Sequence, residues 1–453
     1  MKNIKRYISI SFLVLLILLI FGCSANTSSK KNKVKILFEF TPDNIIKYTS
    51  LFLIDSINNL SSTPYKSVVS QEFKNKLPEK LFLENMKYWQ ATLGEIFFYQ
   101  IQSLDFSETE AKVIITTWHL QAECHFMLVW NNKSQLAYFS ILDEKFQNNL
   151  ASPPPYLFDS GFSEKNVKIG LNSKEKLDGK LFLPKTKGKV PVVIFIHDIG
   201  AYDMYHQIGV SKIFKTLQMV FNANGIGVLL YNKRSFQYEE NKNKNLDQMI
   251  IDDAVSAFIL CAQEKNIDSD KISLFGFSLG GYLLPKIVDK IKNTANNSPH
   301  KIIAANGLYP DPVFLVKHYI KFYLYFDNYI SSTEQEVLTM INNTGSKDFY
   351  STDFFWSYYF WEQIKGYDFL SGMNSLQIPS LIIQSDKSCF NEPEISKEIF
   401  DKLADNEFIT KFYMENKNHF FSFLEGEITH VDYFRPQYPD QDFVEILLSF
   451  LMK

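Results

Sequence analysis

In the last two thirds of the chain, short continuous apolar runs are each followed by a stretch of helical periodicity. The runs are VPVVIFIHD, IGVLLYN, KISLFGF, KIIAANG and IPSLIIQSD, and the intervening segments include VSKIFKTLQMVFNANG and LDQMIIDDAVSAFILCAQE. Strands without polar alternation are covered on both faces, and their regular exchange with amphipathic segments dictates a mostly parallel sheet flanked by helices. Two earlier strands, KNVKIGL and LDGKLFLP, extend it, so residues 156–453 are expected to form an α/β domain. Residues 34–150 have another rhythm. The helical patterns PDNIIKYTSLFLIDSINNL and LPEKLFLENMKYWQATLG come first, then the β-prone runs EIFFYQIQSLDF, EAKVIITTWHL, AECHFMLVW and SQLAYFSIL, which reads as a small α+β domain. The stiff SPPPY stretch, Ser152 to Tyr156, is the expected connector.

At 46% hydrophobic and 21% charged residues the chain is too apolar to remain disordered. A net charge of -3 gives no overall electrostatic footprint for nucleic acid, which is not expected as a partner. Cys124, Cys261 and Cys389 are far apart and form no CxxC pair, so neither a disulfide framework nor a zinc site is supported, and no metal or cofactor is expected. His119 and His125 lie near Cys124, but strand residues one or six apart do not converge on a metal, so they read as partly buried or surface histidines.

Lys2, Lys5 and Arg6 precede an apolar run from Tyr7 to Phe21 that is short for a bilayer span but suited to an export signal. Ile20-Phe21-Gly22-Cys23 resembles a bacterial lipobox, with Phe21 where a small residue is usual. The resemblance implies a signal over residues 1–23, a lipid on Cys23, a tether over 24–33, and a protein held on a membrane of the cell envelope.

Gly276-Phe277-Ser278-Leu279-Gly280 spells GxSxG. Alone the pattern is weak, but KISLFGF before it is a buried strand and the residues after it have helical character, which puts Ser278 on a strand-to-helix turn. A serine hydroxyl needs an imidazole base, and the imidazole needs a partner that fixes its tautomer. On this kind of turn the acid and then the histidine follow the serine in the chain. His419, in the polar loop after FITKFYM, is the candidate base, with His430 further on in an irregular segment; Asp386 ends an apolar run upstream and is the candidate acid. Leu279 N–H, at the start of the new helix, is one candidate oxyanion donor. Ile199 N–H, in the loop HDIG after an earlier strand, is the other. Asp198 in that loop would repel a developing oxyanion unless it points away.

HDIGAYDMYHQIGVSKIFKTLQMVFNANGIGVLLYNKRS, MIIDDAVSAF, FGFSLGGYLLPKI and NHFF together resemble the α/β-hydrolase superfamily, in particular bacterial esterases of the esterase D type related to dienelactone hydrolases. Tyr231, Lys233 and Arg234 match that pattern, while Asn232 replaces an acidic residue and Asp198 a glycine. The resemblance implies carboxyl-ester hydrolysis through an acyl-serine. It also leaves two registers for the acid: counting from the strand end puts Ser388 in the acid's place, and counting back from Phe390 puts Asp386 there. The aromatic-rich insertion at about 307–378 suits either a helical cap that receives an apolar or aromatic acyl part, or packing against the sheet. Residues 34–150, through LPEKLFLENMKYWQATLGEI, resemble the nuclear-transport-factor-2-like (cystatin-like) domains that precede exported hydrolases. Acyl transfer, thioester cleavage or peptide cleavage would use the same residues. A second class remains open, a non-catalytic envelope binding protein with a degenerate hydrolase fold, to which Asp198, Asn232 and the Ser388 register would belong.

Overall fold

The structure is a computed structural model that describes residues 38–146, 154–157, 161–170, 174–208, 211–238, 244–310, 314–315, 318, 350–351, 356–364, 366–426 and 437–453. The signal and tether with Cys23, His430, and most of the 307–378 insertion lie outside the described residues. Residues Glu39–Lys453 pack as one compact unit.

The chain opens with helices α1 (Pro42–Ile57), α2 (Thr63–Val68), α3 (Gln71–Lys76) and α4 (Glu79–Leu93). Thr41 caps α1 by accepting the Asn44 N–H, and Pro42 occupies a first-turn position where its missing N–H costs nothing. Gly94, at φ 85°, ends α4. Strands β1 (Ile96–Phe106), β2 (Glu110–His119), β3 (Ala122–Asn131) and β4 (Gln135–Phe146) then form an antiparallel sheet in chain order. Alternate residues of β3, Ala122, Cys124, Phe126, Leu128 and Trp130, are buried, and Trp130 Nε1 donates to Thr49 of α1 at 2.9 Å. His119 is buried with both ring nitrogens engaged, Nδ1 by the Gly94 carbonyl and Nε2 by the Thr117 hydroxyl. Burial pushes its pKa down to about 4.

The second sheet has eight strands: β5 (Phe162–Ile169), β6 (Leu177–Pro184), β7 (Val190–Ile196), β8 (Gly227–Tyr231), β9 (Ile267–Phe277), β10 (Ile302–Ala305), β11 (Ser380–Lys387) and β12 (Ile409–Asn418). They lie in the order β12-β11-β10-β9-β7-β8-β6-β5, and β6 alone runs against the rest. Helix α5 (Ile213–Ala223) packs on β8 and β6; α6 (Asp252–Gln263) packs on β9 and β7 and against α7 (Leu284–Ala295). Strands β8 and β10 are buried along their whole length, β7 everywhere but Pro191, and β9 from Ile272 onward, as their apolar sequence requires. Phe98 and Trp118 of the first sheet join this core.

Register brings the reactive loops together. Gly276 lies opposite Ile196, Phe277 opposite Ala305, and Ala305 opposite Ile383. The residues one step beyond these strands therefore leave the sheet along a common carboxyl edge. Strand order switches at β7, which has β8 on one side and β9 on the other, all three parallel, and such a switch point is where open α/β sheets bind ligands.

Candidate active site

Ser278 follows β9 with φ 52° and ψ −115°, a backbone conformation that costs a non-glycine residue free energy and that the packing around it must hold. The turn closes only because its neighbours lack side chains. A Cβ on Gly276 would come within 2.5 Å of the Gly280 carbonyl oxygen, and a Cβ on Gly280 within 2.5 Å of the Ile196 carbonyl oxygen. The sequence suggests one helix from Leu279 onward, but the structure has a helical turn, Leu279–Tyr282, and then α7 with Pro285 in its first turn. Proline lacks the N–H that a continuous helix would use there, so the break sits where it costs least.

The loop after β7 is anchored from below. His197 Nε2 donates to the Tyr231 carbonyl at 2.7 Å, which leaves His197 Nδ1 to accept from His206 Nδ1 at 3.3 Å. Both rings are buried beside Phe214. Burial pushes the His197 pKa down to about 3 and that of His206 well below its usual value, so both are neutral. Lys233 Nζ donates to the Asp198 carbonyl, and burial takes the Lys233 ammonium well below its normal range despite the pull of Asp198. Arg234 clamps Asp253 with two hydrogen bonds, at 2.5 and 3.0 Å. The stretch containing Tyr231, Lys233 and Arg234 is thus the floor of this loop.

Asp198 does not point away from the pocket. Its Oδ1 accepts the Ile199 N–H at 2.6 Å and the Leu279 N–H at 3.3 Å, the two amides expected to serve as oxyanion donors. Oδ2 lies 3.4 Å from His419 Nε2, and all four residues are fully buried. Burial alone would raise the Asp198 pKa; the neighbouring imidazole, the Ser278 hydroxyl and the Ile199 amide outweigh it and hold the carboxyl below its ordinary value.

His419 follows β12 directly. Asn306, one residue past β10, donates to the His419 carbonyl at 2.8 Å and accepts from the Ser385 N–H and hydroxyl at 2.8 and 3.0 Å, tying three strand ends together. The ring packs between Phe277 and Phe390. Ser388, and not Asp386, meets Nδ1, at 2.8 Å. Asp386 is corrected as the expected acid: it lies within β11, and its carboxylate accepts the Lys417 N–H of neighbouring β12 at 3.2 Å. Ser388 is the first residue past the strand and so the one that reaches over the edge. Tyr309 was not anticipated. Its hydroxyl donates to the Asn306 carbonyl at 2.6 Å and lies 2.5 Å from the Ser278 hydroxyl. Tyrosine gives no signature in sequence for such a contact.

No family model matches the chain. It is 25% identical over 305 residues to Esterase EstD of Thermotoga maritima, spanning 66% of this chain and 70% of that relative. The strand order, the single antiparallel strand and the strained serine at the end of the fifth strand agree with that similarity. The chain has the α/β-hydrolase fold. A hydrolase from Fusarium is 27% identical over 139 residues, 28% of this chain and about a third (32%) of its own length. Among solved structures, an esterase of Pyrococcus furiosus aligns with a TM-score of 0.41 at 15% identity, over 64% of this chain and 91% of its own. The esterase domain of a Rhodothermus marinus protein aligns at 0.40 and 14%, over 64% and 97%. Within the α/β-hydrolase fold, Ser278, His419 and the two amides sit on the edge that carries ligand sites. No cluster of potential metal ligands occurs among the described residues.

Proposed function

We propose that the protein is a serine hydrolase that cleaves carboxyl esters through an acyl-serine intermediate. One observation carries the reading: beside a strained Ser278, two main-chain N–H groups from separate loops converge on a single carboxylate oxygen, where a reaction oxyanion would lie. Similarity to an esterase over two thirds of the chain supports it.

In the proposed reaction the Ser278 oxygen attacks the ester carbonyl carbon while His419 Nε2 takes its proton. The Ile199 and Leu279 amides hold the resulting oxyanion. Collapse breaks the carbon–alkoxy bond, and His419 returns the proton to the leaving alcohol. Water then repeats the sequence on the acyl-serine, releasing the acid. Ser388, at Nδ1, is the positioning residue for the imidazole in this scheme. An apolar or aromatic acyl part, export through the N-terminal signal, a lipid on Cys23 and a nuclear-transport-factor-2-like character for residues 34–150 complete the proposal.

The test is covalent labelling by a fluorophosphonate together with turnover of p-nitrophenyl esters. Labelling and turnover in the wild type, both abolished by Ser278→Ala with the fold intact, support the reading; equal labelling in the variant sinks it. The carboxylate of Asp198 inside the amide pocket favours the second reading, a binding protein of hydrolase fold. That reading predicts no labelling of Ser278 in any variant. Incorporation of a fatty-acid analogue, lost in Cys23→Ala, tests the anchor.

A further inference from the structure

We propose that Asp198 is a built-in occupant of the oxyanion pocket and thereby restrains the site: a carbonyl reaches the Ile199 and Leu279 amides only by displacing this carboxylate. The inference rests on the serine-hydrolase reading and adds to it a restraint on turnover set by the protein itself.

Three contacts define the occupied state. Oδ1 takes both amide protons, at 2.6 and 3.3 Å. Oδ2 faces His419 Nε2 at 3.4 Å. Ser388 Oγ sits at 2.8 Å from Nδ1 and itself accepts the Phe390 N–H at 3.3 Å. A carboxylate has no proton to give, so the ring nitrogen facing Asp198 is favoured in its protonated form, with Nδ1 accepting from the Ser388 hydroxyl. That is the tautomer unable to take a proton from serine, because a base needs its lone pair on Nε2. The Ser278 hydroxyl meanwhile is hydrogen-bonded to the Tyr309 hydroxyl. The pocket, the base and the nucleophile are therefore all engaged by groups of the protein itself.

Leaving this state is a side-chain event. The backbone of the loop is fixed by Lys233 on the Asp198 carbonyl and by His197 on the Tyr231 carbonyl, neither of which involves the Asp198 carboxylate. A site competent only part of the time weakens every ligand by that fraction, so the occupant lowers turnover of short and long esters alike.

The experiment uses the full chain and compares wild type with Asp198→Ala. It reads the second-order rate of fluorophosphonate labelling at Ser278 and kcat/KM on p-nitrophenyl acetate and p-nitrophenyl octanoate. Expected is a rise of about tenfold or more in labelling and in kcat/KM on both esters, with their ratio unchanged. Thermal melting checks the fold; if the alanine variant does not fold, Asp198→Asn, which keeps the volume and removes the charge, is expected to shift the same way by less. Labelled wild type with an unchanged or slower Asp198→Ala overturns the inference and leaves the hydrolase reading standing; it would make Asp198 a partner that His419 needs. Absence of Ser278 labelling in all variants overturns both.

Discussion

The elbow under Ser278 and the loops that face it share one sheet edge but are built by different means. At the elbow nothing has to be aimed: two glycines let a strand, a turn and a helical turn collapse onto one another, and the serine is presented by backbone alone. Across the edge, every function depends on where a side chain lands. Asp198, Ser388 and His419 are placed by loops, and a shift of one or two residues changes which group meets the imidazole. The first kind of construction tolerates no substitution and advertises itself in sequence; the second can be retuned residue by residue.

Breaking the elbow has the largest expected effect. Gly280→Val places side-chain atoms against the Ile196 and His197 carbonyls, and a loss of more than about 3 kcal/mol is expected, seen as a lowered urea midpoint and a poor soluble yield. A variant of wild-type stability would mean that the turn is not packed as described.

Acid should strike the facing side next. The folded protein keeps His197 neutral down to about pH 3, and His206 neutral to well below 6.5, whereas the unfolded chain binds those protons near 6.5. Their contribution is therefore flat above 6.5 and lost as pH falls, at about 1.4 kcal/mol per pH unit for each ring, or roughly 3 kcal/mol from His197 alone by pH 4. Urea unfolding at pH 7.5 and 4.5 measures the slope. It should flatten in His206→Asn, a residue type that accepts the left-handed backbone at that position, φ 52°.

Ser388→Asp sharpens the comparison from the other direction. A carboxylate at Nδ1 accepts a proton there and leaves Nε2 bare, so kcat/KM on p-nitrophenyl esters is expected to rise by about tenfold, with the gain adding to that of Asp198→Ala. A fall would show that the serine hydroxyl serves the ring better than a charge. The smallest effect belongs to Asp386→Asn: turnover should stay within about twofold, because its carboxylate serves the β11–β12 ladder through the Lys417 amide.

These differences also explain what the sequence discloses. Apolar runs such as VPVVIFIHD and IGVLLYN identify buried parallel strands because desolvation acts on composition, whatever the fine geometry. GxSxG in its strand-to-helix setting is legible because the steric demand falls on glycine. The order serine then histidine limits the base to His419 or His430. Asp386 against Ser388 was undecidable at that level: the two differ by which residue clears the end of β11, and strand ends are set by tertiary hydrogen bonds, here with a register shift between Ser385 and Lys387. The direction of Asp198 is likewise a rotamer, and Tyr309 arrives from a segment with no periodicity to read.

One consequence of the loop after β7 belongs to heredity. Since Lys233 and His197 hold its backbone through main-chain carbonyls, residue 198 can change without the loop losing its anchors. Aspartate and glycine codons differ by a single nucleotide. A lineage carrying this chain therefore stands one point mutation from an unoccupied pocket, and persistence of the aspartate across strains would mark restraint of the site as a trait under selection.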